Sequence, residues 1–263
     1  VKFGRSLSPN LLVYRYIQNP EMTTPTITPD VVTSADLSEN TKKFQLDHGH
    51  RALAAFPLIS DGKTTGLLFY YWATPQKIDE AQPIIDEAAM IVMQYEIPEE
   101  TVKYVIDLAN KKNIPVLWNV APARAFDFSY IPKVNILVLN ELEAGFLAET
   151  PVENEQEAEK AADILLAKGV EKVIITLGAK GAFVVTKDEK VRVPAFKVNA
   201  VDTTAAGDTF CGSFAVALVE GKSLKESLQF ASAASAICVT RMGAQPSAPD
   251  RKEIEAFLIN EVK

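Results

Sequence analysis

The feature that most constrains the fold is an alternation of short apolar runs with amphipathic segments, which begins near Ala88. Lys172–Thr176 (KVIIT) is a continuous apolar run typical of a buried strand, whereas Glu99–Lys112 repeats apolar residues at helical spacing. Continuous apolar strands between amphipathic helices indicate a parallel sheet covered on both faces. The sequence therefore predicts an α/β fold, in which ligands bind at the carboxyl ends of the strands.

The remaining elements of this region follow from the same patterns. Further strands are predicted over 89–94, 114–118 and 134–139, further helices over 153–168, 209–220, 224–241 and 250–259, and an edge hairpin over 181–186 and 191–196.

Composition and charge exclude several classes of protein. The chain has 263 residues, of which 48% are hydrophobic and 23% charged, with a net charge of -7. A general nucleic-acid binder would be basic, so we expect neither nucleic acid nor an anionic membrane as a partner. No apolar run approaches a membrane span, and Val1–Arg5 is not followed by the apolar stretch of a secretory leader. The two cysteines form no CxxC pair, which favours a reduced, cytoplasmic setting.

The stretch Val201–Phe210 (VDTTAAGDTF) predicts an anion site with an adjacent base. Apolar residues at helical spacing begin at Phe210, so Ala205–Asp208 should form the first turn of a helix. A helix N-terminus attracts anions, and residues this small let a phosphate approach the backbone. Asp208 would then accept a proton beside the anion, an arrangement suited to phosphoryl transfer to a hydroxyl. Taken alone, a Gly-Asp pair more often simply caps a helix.

As a whole, this ten-residue stretch resembles the signature of the ribokinase-like (PfkB) sugar kinase family. The resemblance runs from about Thr74 to the C-terminus, and its segments occur in family order. They are Gln94–Pro98 (QYEIP), Asn119–Ala123 (NVAPA, with Val120 where the family usually has proline), Asn140–Glu143 (NELE) and Thr176–Gly181 (TLGAKG).

The resemblance implies a three-layer sandwich with a mostly parallel central sheet. It also implies an ATP-dependent carbohydrate kinase that transfers the γ-phosphate to a sugar hydroxyl, converting ribose to ribose 5-phosphate. The implied partners are a small-molecule sugar and ATP, and the implied ions are Mg²⁺ and an activating monovalent cation, K⁺. Relatives often form dimers through a lid over the sugar; a homodimer therefore stays open, although no lid is recognisable in this sequence.

The resemblance also assigns roles to individual residues. It makes Asp208 the catalytic base and puts Ala205, Ala206 and Gly207 at the anion hole, with Glu96 in contact with the sugar. Nucleotide binding is assigned to Asn140, Thr176, Leu177, Gly178, Ala179, Lys180, Gly181, Gly207 and Ser232. Ser232 stands where relatives often have Asn or His beside adenine.

Two sets of residues are assigned to the ions by the same resemblance. Glu143 would hold Mg²⁺ through water. The monovalent cation would be held, in several cases through backbone carbonyls, by Asp202, Thr204, Cys238, Arg241, Gly243 and Ser247.

Taken separately, some of these motifs have simpler interpretations. An N-x-x-E motif such as Asn140–Glu143 is also the pattern of a helix capping box. Gly178 and Gly181 are also typical of a plain turn. The order and number of the motifs favour the kinase interpretation.

The N-terminal part, residues 1–73, is atypical for this family and is predicted as a region distinct from 74–263. Two apolar runs within 51–72 flank an Asp61-Gly62 pair, which predicts a β-hairpin. Over about 20–73 the chain is weakly similar to the later part of a GAF sensor domain. The early N-x-D segment, the GGKGAN segment and the lid strands of the kinase family are not recognisable before Thr74.

Three explanations follow for this atypical region: a chimera, an altered N-terminus, or a degenerate kinase that binds nucleotide without catalysis. The alternative function is therefore a catalytically impaired or engineered nucleotide-binding protein with a ribokinase-like C-terminal region.

Overall fold

The computed structural model describes residues 85–261 and, nearer the N-terminus, the backbone of three strands. The chain divides into two structural units, residues 1–88 and residues 89–263. The predicted boundary between residues 73 and 74 lies outside the described residues.

The N-terminal unit contains an antiparallel sheet of three strands, β1 (Thr26–Thr28), β2 (Leu53–Ser60) and β3 (Lys63–Tyr70). Their register pairs Ser60 with Lys63, which confirms the hairpin predicted from the Asp-Gly pair. A register shift between Leu58 and Ile59 interrupts the ladder.

The C-terminal unit is built on a six-stranded sheet in the order β4-β5-β6-β7-β8-β9. The first four strands are parallel, and the last two are antiparallel. The predicted mostly parallel sheet is thus confirmed. Its strands are β4 (Ile91–Gln94), β5 (Val116–Asn119), β6 (Ile136–Asn140), β7 (Lys172–Thr176), β8 (Ala182–Val185) and β9 (Lys190–Val193).

Six helices accompany this sheet within residues 85–261. They are α1 (Glu99–Lys112), α2 (Glu141–Ala148), α3 (Glu155–Ala167), α4 (Ala206–Val219), α5 (Leu224–Cys238) and α6 (Arg251–Glu261). Three short 3-10 segments, Phe128–Lys133, Gly178–Lys180 and Gln245–Ser247, lie between them. Among the described helices, none combines the length and hydrophobicity that a bilayer span requires.

The core lies around the central strands. All four residues of β5 and the first four of β6 are buried, so helices cover both faces of the sheet. Helix α3 packs against β7 and β8, α5 packs against β8 and β9, and α4 contacts β4 and β5. The exposed pattern of β9 agrees with the predicted position of the hairpin at a sheet edge.

Where element bounds differ from prediction, competing hydrogen bonds give the reason. Strand β5 begins at Val116 rather than Ile114, because the Ile114 N–H still donates to the Ala109 carbonyl of α1 (2.9 Å). Helix α5 ends at Cys238 rather than Arg241, because the Val239 carbonyl accepts the Val201 N–H (2.7 Å) from another loop.

Candidate active site

Each of the four parallel strands ends in a polar residue. Gln94 ends β4 and pairs in register with Asn119, which ends β5, while Asn140 ends β6 and pairs with Thr176, which ends β7. The carboxyl ends of parallel strands are where ligands bind in open α/β sheets. Three of the predicted motifs and the turn after β7 therefore meet along one edge of the sheet.

Helix α4 begins as the Val201–Phe210 motif predicts. Ala205 is its N-cap, and the backbone there has φ of 60°, a left-handed conformation that costs an alanine about 1–2 kcal/mol. Such strain concentrates at functional sites. The Ala206 N–H donates to the Thr203 carbonyl (3.2 Å), whereas Gly207 is exposed and a Cβ there would meet nothing within 4 Å. The backbone at Gly207 is thus open to a ligand.

Asp208 lies in the first turn of α4, partly buried, and its carboxylate accepts a hydrogen bond from the Gln94 side-chain amide. Burial raises the pKa of Asp208 above its ordinary value, and the Gln94 hydrogen bond acts in the opposite direction. A carboxyl group whose pKa is raised towards neutrality is better matched to general-base catalysis.

Glu96 follows the end of β4 by two residues and lies near Asp208. Its side chain is exposed as a whole, but desolvation of the carboxyl group raises its pKa, and the charge of Asp208 adds to that effect. The structure thus brings together the predicted base and the predicted sugar contact.

Asn140 and Glu143 form a capping box at the start of α2. The Asn140 side chain accepts the Glu143 N–H, and the Glu143 carboxylate accepts the Asn140 N–H, both at 2.9 Å. Glu143 is 6% exposed, and burial raises its pKa. The simpler interpretation of this motif is therefore present in the structure, and it leaves a desolvated carboxylate beside the strand ends.

Cys211 lies on α4, three residues after Asp208, where the charges of Asp208 and Glu143 both affect it. It is buried, and burial together with the charges of Asp208 and Glu143 raises the pKa of its thiol. The predicted base and the predicted Mg²⁺ ligand thus act on the same buried thiol.

The segment Thr176–Gly181 forms a tight turn after β7. The Leu177 N–H donates to the Gly181 carbonyl (2.7 Å), and Gly178 to Lys180 forms a single 3-10 turn, with Gly178, Ala179 and Lys180 exposed. Gly181 has φ of 104°, and a Cβ there would overlap the Val193 carbonyl and lie 2.7 Å from the Ala195 nitrogen. Gly181 is therefore required by backbone packing, whereas the surroundings of Gly178 are open.

Ser232 lies on α5 and is half-buried. Three residues later on this helix, the Ser235 hydroxyl donates to the Ala206 carbonyl (3.1 Å) in the first turn of α4. The structure therefore joins α5, the helix that carries Ser232, to the start of α4.

Five of the six residues predicted for the monovalent cation are close together. Asp202 accepts the Thr204 N–H (2.9 Å) and hydroxyl (2.6 Å) through one oxygen and the Gly243 N–H (2.8 Å) through the other. These bonds, with the Thr204 hydroxyl foremost, hold the pKa of Asp202 below its ordinary value. The Cys238 sulfur lies 3.1 Å from the Ser247 hydroxyl oxygen and 3.7 Å from the Thr204 carbonyl oxygen.

The sixth, Arg241, follows the end of α5 and shares this loop through its backbone, which donates to the Cys238 carbonyl (3.1 Å). Its guanidinium group pairs instead with Glu253 on α6.

Comparison with known proteins decides the family. The sequence pattern of the "pfkB family carbohydrate kinase" matches residues 40–251. This chain belongs to the pfkB family. The match begins before Thr74 and overlaps the segment that is weakly similar to a GAF domain.

Curated relatives of this pfkB chain are named as pentose kinases. A ribokinase from Haemophilus influenzae is 42% identical over 181 residues, which are 69% of this chain and 59% of that protein. A deoxyribokinase from Salmonella typhi is 40% identical over 186 residues, 70% of this chain and 61% of that protein. The chain thus spans about 60% of the length of the curated relatives it matches.

A solved structure confirms the ribokinase-like fold. Arabidopsis thaliana ribokinase, complexed with ribose and ATP, superposes with a TM-score of 0.67 at 31% identity, covering 80% of this chain and 70% of that one.

Two residues of this candidate site were not singled out by the sequence. Gln94 contacts Asp208, and the Asn119 oxygen lies 3.5 Å from the Gln94 amide nitrogen. Each is the last residue of an apolar run, where a polar side chain simply indicates the end of a strand. Both lie within the family segments Gln94–Pro98 and Asn119–Ala123, and this was the signal that could have identified them.

The ion sites that the family implies need donors of the right kind among the described residues. Within residues 85–261, no three His, Cys, Asp or Glu side chains form a metal-binding group. The residues nonetheless fit, because Mg²⁺ needs few carboxylates besides water and phosphate, and a nearby cation would offset the desolvation that raises the pKa of Glu143. Carbonyl oxygens such as those around Asp202 suit K⁺.

Proposed function

We propose that this chain transfers the γ-phosphoryl group of ATP to a hydroxyl group of ribose. The observation that carries the proposal is Asp208, a desolvated carboxylate in the first turn of a helix whose glycine backbone is open to a ligand. Membership of the pfkB family, the names of the curated relatives and the ribose and ATP in the Arabidopsis complex support it.

In the proposed reaction, Asp208 accepts the proton of the sugar hydroxyl as its oxygen attacks the γ-phosphorus. A bond forms between that oxygen and phosphorus, the bond to the β–γ bridging oxygen breaks, and ADP leaves. The positive end of α4 and the N–H of Gly207 stabilise charge on the transferred group. Phosphoryl transfer depends mainly on positioning and electrostatics, so a carboxylate suffices as the base.

The nucleotide is proposed to bind along the ends of β6 and β7. The register pair Asn140 and Thr176, together with the exposed turn 178–180, offers polar groups and an accessible backbone at the carboxyl ends of these strands. Ser232 on α5 is proposed as the residue nearest adenine.

The two ions are proposed to be held by two different sets of residues. Glu143 would hold Mg²⁺ through water, and the loop formed by 202–204 and 238–247 would hold K⁺. When bound, these cations supply positive charge that offsets the charge of the phosphates.

The acceptor sugar is proposed to contact Glu96, which lies beside Asp208. The relatives are named for ribose and for deoxyribose, two sugars that differ by one hydroxyl group. A carboxylate that accepts hydrogen bonds from hydroxyl groups favours the sugar that has more of them, so we propose ribose as the better acceptor.

The test is ADP release by the full chain with ATP, Mg²⁺ and ribose, with and without K⁺, and with deoxyribose in place of ribose. Asp208→Asn should abolish turnover while ATP binding persists. The control is Asp188→Asn, an exposed acid in the turn between β8 and β9, which should retain full activity.

Turnover by Asp208→Asn at the wild-type rate would refute the role of the base. ATP binding by the wild-type chain without ribose-dependent turnover would instead support the catalytically impaired nucleotide-binding protein.

A further inference from the structure

The side-chain amide of Gln94 lies between the carboxylate of Asp208 and the side chain of Asn119. Its nitrogen donates to the Asp208 Oδ1 atom and lies 3.5 Å from the Asn119 Oδ1 atom. An amide nitrogen has two hydrogens, so it can serve both acceptors at once.

Asn119 is in turn fixed to the sheet. It is buried, and its own amide nitrogen donates to the Val138 carbonyl of β6 at 2.9 Å. Asn119 is paired in register with Gln94 on one side and with Val138 on the other. The side-chain connection therefore crosses three neighbouring strands, from the backbone of β6 to the carboxylate on α4.

We propose that Gln94 and Asn119 are positioning residues, which orient the Asp208 carboxylate by holding its Oδ1 atom against the sheet. The Oδ2 atom is then left to accept the proton of the sugar hydroxyl. This inference rests on the proposed kinase function, because it assigns no separate reaction to the two amides.

The charged groups around Asp208 explain why a neutral donor is useful there. Glu96 faces it from the end of β4, and Glu143 on α2 acts with it on Cys211, one turn further along α4. These neighbours are acids, and the Gln94 amide counteracts the burial that raises the pKa of Asp208. A neutral amide can fix the carboxylate without neutralising it as a lysine would.

The test is Gln94→Met in the full chain, which nearly preserves the side-chain volume and removes the donor. We expect kcat to fall about 10²-fold, as a loss of orientation of this kind does, with KM for ATP unchanged. The acidic limb of the kcat profile should move to higher pH, because the hydrogen bond that lowers the pKa of Asp208 is gone. Gln156→Met, at an exposed position of α3, is the matched control and should leave all three quantities unchanged.

A second readout does not depend on activity. Titration of the Asp208 carboxyl carbon by NMR should give a higher pKa in Gln94→Met than in wild type. Asn119→Ala, with the Gln94 donor retained, should shift it in the same direction by a smaller amount. If Gln94→Met proves unstable, the Asn119→Ala titration still decides the matter.

The two proposals fail in different ways. Loss of turnover in Asp208→Asn with an unchanged titration and pH profile in both amide variants would overturn the positioning role alone. Persistent turnover in Asp208→Asn would overturn the proposed function, and the positioning role with it.

Discussion

At the scale of a single residue, Asp208 must be ionised to act as a base although its surroundings disfavour the ionised form. A base must be ionised and accessible, yet the carboxylate is partly buried, and burial raises its pKa. The hydrogen bond from Gln94 acts against that burial and lowers the pKa of Asp208. Desolvation of this carboxylate therefore lowers the stability of the folded protein, as is common where a functional site needs a group with a perturbed pKa.

Asp208→Asn should consequently stabilise the protein at pH 7. A folded-state pKa above the unfolded value gives stability that is complete below the unfolded value, about 4, and is lost as pH rises through the folded value. The neutral amide avoids that loss, and its oxygen can still accept from Gln94. We expect a Tm about 2–4 °C higher at pH 7, equivalent to roughly 1 kcal/mol for a domain of this size, with the gain disappearing near pH 4. A variant no more stable than wild type at pH 7 would contradict this.

Gly207 should matter for ligand binding and not for folding. A Cβ at Gly207 would meet nothing within 4 Å, so protein packing gives no reason for a glycine there. A methyl group at the open N-terminus of α4 would instead displace the phosphate, and a shift of about 1 Å can cost about 10²-fold in rate. Gly207→Ala should lower kcat/KM accordingly without lowering the urea unfolding midpoint.

The matched control lies further along the same helix. Gly212 is equally open to a Cβ, so Gly212→Ala should keep full activity and gain about 0.5–1 kcal/mol from the reduced entropy of the unfolded chain. Equal activity losses in the two variants would show that the effect belongs to the helix.

At the scale of elements, the N-caps of α2 and α3 can be compared to distinguish a structural role from a ligand-binding role. Asn140 and Asn154 each accept the N–H of the residue three positions later, at 2.9 and 3.0 Å. Asn140→Ala and Asn154→Ala should therefore each cost about 1 kcal/mol of unfolding free energy. Isothermal titration should show weaker ATP binding for Asn140→Ala alone, and an equal effect in both variants would remove Asn140 from the nucleotide site.

The two glycines in the turn between β7 and β8 differ in how closely the backbone packs around them. Gly181→Ala should be strongly destabilising, by about 3 kcal/mol or more, because the new Cβ would overlap the backbone at Val193 and Ala195 and φ is 104°. Gly178→Ala, with φ of 53° and open space, should cost only about 1–2 kcal/mol. Urea denaturation measures both, and a smaller loss for Gly181→Ala would contradict the packing argument.

Local patterns were sufficient to predict the elements but not the contacts between them. Glu99–Lys112 and Lys172–Thr176 could be predicted residue by residue, because periodicity and continuous burial are local properties of the sequence. The contact of Gln94 with Asp208 could not be predicted, because it joins the end of β4 to a helix 114 positions later in the sequence. The left-handed backbone conformation of Ala205 could not be predicted either, because an alanine gives no local signal of positive φ.

At the scale of the whole molecule, every residue proposed for the nucleotide lies in the C-terminal unit, from Asn140 to Ser232. The family match extends over 40–251 and therefore includes part of the N-terminal unit as well. Nucleotide binding is therefore proposed to involve the C-terminal unit, and this can be tested separately from phosphoryl transfer.

Hydrogen exchange of the full chain with an ATP analogue that cannot transfer its γ-phosphate should protect amides near 140–143, 176–181 and 205–208. Strands β2 and β3 should exchange as before, because no proposed nucleotide contact lies there. At a ligand concentration of 100 times Kd, the C-terminal unit should gain about 2.7 kcal/mol of stability, since the ligand binds only the folded state. The Gly207→Ala variant, measured in parallel, should lose the protection near 205–208. Protection centred on β2 and β3 would instead move the nucleotide site away from the carboxyl ends of β6 and β7.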